Sequence, residues 1–240
     1  MAELDINKAE ELEKKYDTSL QTRAISPLLF KFTFVFSIIF AAYHYITAGT
    51  GVPIDYWHMG THMAGVMLLV FIGFPAIRGI KHQEFRSNTW WRYGNVPVWD
   101  WLFIFLGISA AYYVGITWYE IDLELFGYRF QLPEQVLRQG NPAQIDVVFG
   151  TILIVVLLEA VRRTLGPIVP IIIIIFIVYA VFGMQMPFQI LKHPGVSWDL
   201  FINTMYFPEE GIFGVTLWIV STVVFHFVLF GIIAQRMGLG

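Results

Sequence analysis

The sequence predicts an all-α, polytopic integral membrane protein: about six transmembrane helices, an amphipathic helix at the N-terminus and an interfacial helix before the last span. Three observations carry this. Of 240 residues, 57% are hydrophobic and only 14% charged, against about 25% charged in an ordinary soluble domain, and the mean hydropathy is +0.63. Six apolar stretches approach the roughly 20 residues needed to cross a hydrocarbon core of about 30 Å. The basic residues are also unevenly divided between the two sides that those stretches define.

Residues 1–27 lack the early apolar run of a secretory signal. Ile6, Ala9, Leu12, Tyr16 and Leu20 recur at helical spacing, and Glu10 with Lys14 and Glu11 with Lys15 form i,i+4 pairs, so a short cytosolic helix on the membrane surface is expected. The spans follow at 28–48, 57–77, 98–118, 147–160, 166–183 and 211–234. The fourth is short, with Asp146 and Glu159 at its edges and Gln144 and Ile145 available to lengthen it. In the fifth, Ile171 to Ile175 would read as a strand in water, but in lipid a helix satisfies its own backbone. Pro167 sits in its first turn, and Pro170 bends it slightly.

Twelve of the fifteen Lys and Arg fall on one side, leaving Arg129, Arg138 and Lys192 on the other, so both termini are expected in the cytosol. Trp57, Trp90, Trp91, Trp99, Trp101 and Trp118 stand at span ends, where an amphipathic ring prefers the headgroup level. Two longer segments lie outside. Residues 119–146 are acidic, with a short helix expected near 133–138. In 187–207, Ser197 is placed to cap an interfacial helix, Asp199 suits its dipole, and Trp198, Leu200, Phe201, Met205 and Tyr206 supply apolar surface.

The composition excludes several chemistries. There is no cysteine, hence no disulfide or thiolate site. A net charge of -3 provides no basic field for nucleic acid. No phosphate loop, nucleophile elbow, HExxH or dinucleotide fingerprint is present, and no enzyme activity is expected. His58 and His62 share a helical face, with His44 on the same side of the membrane. Such a cluster would suit a metal or a haem, but the plainer reading is interfacial histidines bonded to water or headgroups, and no cofactor is expected. His226 lies deeper, where a neutral imidazole bonded to a neighbouring helix is preferred to a proton carrier. Glu159 is followed at i+3 and i+4 by Arg162 and Arg163, an anchoring geometry. Glu209 and Glu210 suit the start of the sixth span, with cation entry as the alternative. Gly107, Ala111 and Gly115 form a small-residue stripe for close helix approach.

The stretch Glu159-Ala-Val-Arg-Arg-Thr-Leu-Gly166 is followed by Tyr179-Ala-Val-Phe-Gly183, His193-Pro-Gly-Val-Ser197, Glu210-Gly-Ile-Phe-Gly214, Phe230-Gly231 and Met237-Gly-Leu-Gly240. Together with Arg138-x-Gly140-x-Pro142, Asp146 and Gly150, this order resembles the fused permease of tripartite ATP-independent periplasmic (TRAP) transporters, of the kind that works with TAXI-type solute-binding proteins. The likeness is specific over residues 138–240; before that it rests on hydropathy, Pro97 and Asp100. It implies uptake of small organic anions, usually carboxylates, by symport with sodium or protons, in the plasma (inner) membrane of a bacterium or archaeon, with a periplasmic binding protein delivering the solute.

By the same resemblance, residues 28–165 correspond to the four-helix small subunit and 166–240 to the first two spans of the large one. The remainder of that subunit is an expected partner and carries the substrate and ion hairpins, so the 240 residues are expected not to transport alone. Glu159, Arg162, Arg163, Gly166, His193, Gly195, Glu210, Gly211, Gly214, His226 and Gly231 are the motif positions expected to serve as structural or gating residues. Pro208-Glu209 departs from the threonines frequent in the family. Two other readings remain open: a membrane-anchored haem or metal redox subunit, resting on the histidines, and a non-catalytic membrane scaffold, resting on the small-residue stripe.

Overall fold

A computed structural model describes residues 22–52, 54–77, 91–125, 127–207 and 211–238. The amphipathic helix expected within 1–27, the loop around 78–90, Trp90, Glu209 and Glu210 lie outside them, apart from residues 22–27. Helix α1 (Pro27–Thr50) is capped by Ser26, whose Oγ accepts the Leu29 N–H, and has proline at its first position. Helix α2 (Asp55–Gly73) ends earlier than the apolar run, which continues to Ile77, because Pro75 cannot extend it and Phe74 before the proline turns extended. A tight hairpin, β1 (Arg92–Tyr93) and β2 (Val96–Pro97), turns at Gly94 and Asn95, both with positive φ, and leads into α3 (Val98–Ile116).

The acidic segment 119–146 contains an unforeseen antiparallel hairpin, β3 (Ile121–Leu125) with β4 (Tyr128–Leu132), in which Asp122 faces Gln131 and Glu124 faces Arg129. The expected short helix follows as a 3₁₀ turn, Gln135–Arg138. Helix α4 (Gln144–Leu165) is longer than its apolar core, because Asp146 Oδ2 reaches back to accept the Ala143 N–H (2.8 Å) and Gly166 closes the other end. Helix α5 (Ile168–Val181) has 14 residues. The expected interfacial helix is α6 (Trp198–Tyr206), with Ser197 as its cap. It does not lie free on the membrane surface, since Phe201, Ile202 and Tyr206 are buried and the helix packs on α4. Helix α7 (Val215–Arg236) contains a π-helical stretch, Val220–Val224, between α-helical ends.

Helices α2, α3 and α4 form the core: α2 packs on α3, and α3 on α4. The small-residue stripe makes the first contact possible. A Cβ on Gly60 would meet the Ala111 carbonyl at 2.8 Å, one on Gly107 would meet Met67 at 2.6 Å, and Gly115 packs on Trp57. Helix α5 touches the core through α4, and α7 bridges α1 and α2. Among the described residues, four helices (α1, α3, α4 and α7) are long and apolar enough to cross a membrane, the character of a multi-pass membrane protein.

Candidate functional site

The chemistry-bearing side chains collect in three places. The first is a histidine cluster among α1, α2 and α7. Contrary to the interfacial reading, His44, His58 and His62 are buried, at 0%, 1% and 6% exposure. Their i,i+4 spacing on α2 turns two rings towards α1, where Phe40 and His44 receive them, and Phe225 of α7 closes over His44 with ring centroids 4.3 Å apart. Their partners set the tautomers. His44 Nδ1 donates to the Phe40 carbonyl (2.8 Å), so its Nε2 accepts from His62 Nδ1 (3.0 Å). His58 Nε2 donates to the Ser221 carbonyl (3.3 Å) and its Nδ1 accepts from the Tyr43 hydroxyl (3.1 Å).

His226 differs, because both ring nitrogens face carbonyl oxygens: Nδ1 faces Thr222, and Nε2 lies 2.7 Å from the His44 oxygen. A neutral ring donates to one of these; an imidazolium donates to both. Ser221 and Thr222 belong to the π-helical stretch, where hydrogen bonding is re-registered and carbonyls become available to side chains. Beside His226, a cavity of about 760 Å³ opens between α1 and α7, lined by Thr47, Asp55, Trp218, Thr222 and Phe227 among others. Among the described residues no group of three or more His, Cys, Asp or Glu is arranged to hold a metal ion.

The second place is an ionic network where α2 and α4 end and α1 and α3 begin, called here the basic end. Asp100, in the first turn of α3, accepts from Arg23 (2.5 Å) and Arg163 (2.8 Å). Arg163 also bonds Glu159 (2.7 Å), and Glu159 is held through both oxygens by Arg162. The arginines cover the carbonyl end of α2: Arg162 donates to Ala76 (2.8 Å) and Arg163 to Phe74 (3.3 Å). Burial lowers the pKa of the Arg23 guanidinium, against the hydrogen bond and charge of Asp100.

The third place, at the hairpin end, is neutral. Asp146, fully buried, takes a bidentate bond from Arg138 (2.9 and 3.0 Å), the Tyr113 hydroxyl (2.6 Å) and its own N-cap N–H. Arg138 also bonds the Pro133 carbonyl. Gln135, at the start of the same 3₁₀ turn, is buried and has no hydrogen-bond partner among the described residues for either end of its carboxamide.

The motif positions therefore make several joints and no single site. Glu159, Arg162 and Arg163 build the basic-end network, and Gly166 ends α4 by donating to the Arg162 carbonyl (3.2 Å). His193 bonds the Tyr179 carbonyl (2.9 Å) and lies flat against Gly183, where a Cβ would come within 2.2 Å of the ring. Gly195, at φ +75° with no room for a Cβ against the Val181 carbonyl, lets the chain double back there. Gly211 sits on the Met205 carbonyl and Gly214 precedes α7. Gly231 faces open space, and nothing in the structure explains a glycine there. His226 joins the histidine cluster; Glu210 lies outside the described residues. Sequence reading missed the Arg138–Asp146–Tyr113 group and the link from Arg23 to Asp100. The second joins residues 77 positions apart, and no spacing rule reaches that far. Comparison with protein-family models, with curated proteins and with solved structures found no match to this chain.

Proposed function

We propose that this chain is a membrane component of a TRAP-type secondary transporter: a six-span region, both termini cytosolic, in the inner membrane of a bacterium or archaeon. It braces the permease that takes up small organic anions, chiefly carboxylates, on a sodium or proton gradient, with a TAXI-type solute-binding protein on the outer side. The observation that carries the reading is that the quoted motifs coincide with joints, from the Glu159–Arg163 network to the His193–Gly183 contact. A brace needs a stiff part and a face for a neighbour. The core trio is tied at the basic end by a buried ionic network, and α3 is tied to α4 at the other by the Tyr113–Asp146 hydrogen bond, whereas on α5 only Pro170 is buried. The substrate and ion sites belong to the remainder of the large subunit, and no catalytic step falls to this chain.

Transport tests the proposal. In proteoliposomes, the chain joined to a complete large subunit and supplied with a TAXI-type binding protein takes up a carboxylate on a sodium or proton gradient, and the 240 residues alone do not. Uptake by these residues alone, or a stoichiometric haem band in the absorption spectrum, overturns it. The topology is tested separately: Tyr128→Cys, at an 82% exposed position, labels with an impermeant maleimide from outside intact cells, and Gln83→Cys does not.

A further inference from the structure

Among the described residues, three buried nitrogens around the basic end have no hydrogen-bond partner: Arg23 Nη1, Arg92 Nε and Trp101 Nε1. All three are donors. A buried donor left unsatisfied bears the desolvation cost of an unmade bond, and three in one neighbourhood, with no orphan acceptor among them, suit an acceptor that the described residues do not supply. Their closeness follows from the packing. Asn95 of the β1–β2 turn donates to the Ala24 carbonyl (2.7 Å), the Ser26 N–H donates to Gly94 (3.2 Å), Arg92 Nη1 reaches Asn95 (3.4 Å), and the Trp101 ring meets Tyr93 with centroids 6.2 Å apart. The hairpin thereby brings Arg92 to the segment that carries Arg23, and α3 brings Trp101 to the hairpin.

Among the described residues the charge of this corner also favours an anion. Around this corner the described cations are Arg23, Lys31, Arg92, Arg162 and Arg163, against the carboxylates of Asp100 and Glu159. Asp100 and Glu159 are already engaged, and Arg92 lies over the Trp91 ring (4.3 Å) with no carboxylate in reach among the described residues. Directly alongside, an apolar groove of about 300 Å³ runs between α1 and α2, lined by Ile25, Phe30, Phe34, Leu69, Ile72 and Gly73. Gly73 is the residue whose carbonyl accepts the Arg23 N–H (2.7 Å), so the groove opens next to the orphan donors.

We propose that this corner is a binding site for one acidic phospholipid, its phosphate received by Arg23, Arg92 and Trp101 and one acyl chain laid in the α1–α2 groove. An anionic headgroup supplies acceptors where only donors stand, offsets the surplus positive charge, and is anchored by a tail whose groove begins two residues from Arg23. This inference rests on the donors and the groove; it holds whichever transporter, if any, the chain serves.

The test uses the purified full chain in a neutral detergent. Thermal unfolding is followed with phosphatidylglycerol, with phosphatidylcholine of the same acyl chains, and with inorganic phosphate, and bound lipid is counted by native mass spectrometry. Phosphatidylglycerol is expected to raise the midpoint and to stay bound as one molecule, with phosphatidylcholine and free phosphate giving little shift. Arg92→Gln, which touches neither Asp100 nor Glu159, weakens retention about tenfold, as expected for one charge-assisted bond. Thr33→Trp, which fills the groove without touching a donor, also lowers retention. Arg129→Gln, at the opposite end, leaves it unchanged. Equal stabilisation by inorganic phosphate shows a free-anion site and overturns the lipid assignment. Equal retention of phosphatidylcholine, or unaltered retention in Arg92→Gln, overturns the headgroup contacts.

Discussion

The basic end and the hairpin end of the bundle are each organised around one buried aspartate, and they are built differently. Asp146 draws on its own neighbourhood: Arg138 eight residues back, its own N-cap, and Tyr113 across on α3. Asp100 draws on Arg23 and Arg163 from distant parts of the chain. One is a helix cap enlarged by an arginine, the other a staple across four segments. A local cap orders a loop; a long-range staple holds helices whose apolar surfaces alone do not specify which neighbour to choose, since in lipid hydrocarbon faces are interchangeable.

Removing the shared carboxylate sharpens this contrast most. Asp100→Ala leaves the Arg23 and Arg163 guanidiniums, both almost wholly buried, facing each other, and is expected to cost about 3–5 kcal/mol in a reversible unfolding assay in detergent. Asp146→Ala strands one buried arginine, against two at Asp100, together with a tyrosine hydroxyl, and is expected to cost about 3 kcal/mol. If Asp146→Ala proves the more damaging, the staple is not what holds the helices together. Tyr206→Phe removes the bond to the Ala110 carbonyl (2.6 Å) that ties α6 to α3 and is expected to cost about 1 kcal/mol. The least effect is expected at the exposed Arg129–Asp122 pair of the β3–β4 hairpin. Bonding to Arg129 lowers the Asp122 pKa below its ordinary 3.8, so the pair is intact at neutral pH and is lost as pH falls through that lowered value. Arg129→Gln returns the Asp122 titration towards 3.8 in an NMR experiment without a measurable change in thermal midpoint.

Helices were legible because apolar length is read directly from composition, and the Ser26 and Ser197 caps stand where a hydroxyl precedes an apolar run. The β3–β4 hairpin was overlooked although its signal was present: Ile121, Leu123 and Leu125 alternate with Asp122 and Glu124, and Gly127 stands just before the second alternation of Tyr128, Phe130 and Leu132. The histidine cluster was only half legible. The spacing of His58 and His62 put them on one face of α2, but nothing in that spacing said whether the face met headgroups or α1 and α7. The two aspartate sites were hidden for a simpler reason, because an acidic residue at a helix start already has an explanation in the helix dipole, which gives no cause to look for an arginine.

The π-helical stretch of α7 has a rotational consequence. Each residue of an α-helix turns the chain by about 100°, so one residue more or fewer would ordinarily swing everything beyond it to another side. A π turn absorbs a surplus residue locally. Its two flanks can therefore be aimed independently, Trp218 towards His58 on one side and His226 towards the His44 carbonyl on the other. Deleting Val223 would remove that surplus and return the stretch to plain α-helical winding with His226 still aimed at its acceptor, whereas deleting a second residue would carry it about a quarter-turn away. The aim of that imidazole is thus set by how many residues separate the two flanks, and much less by which side chains fill the stretch between them.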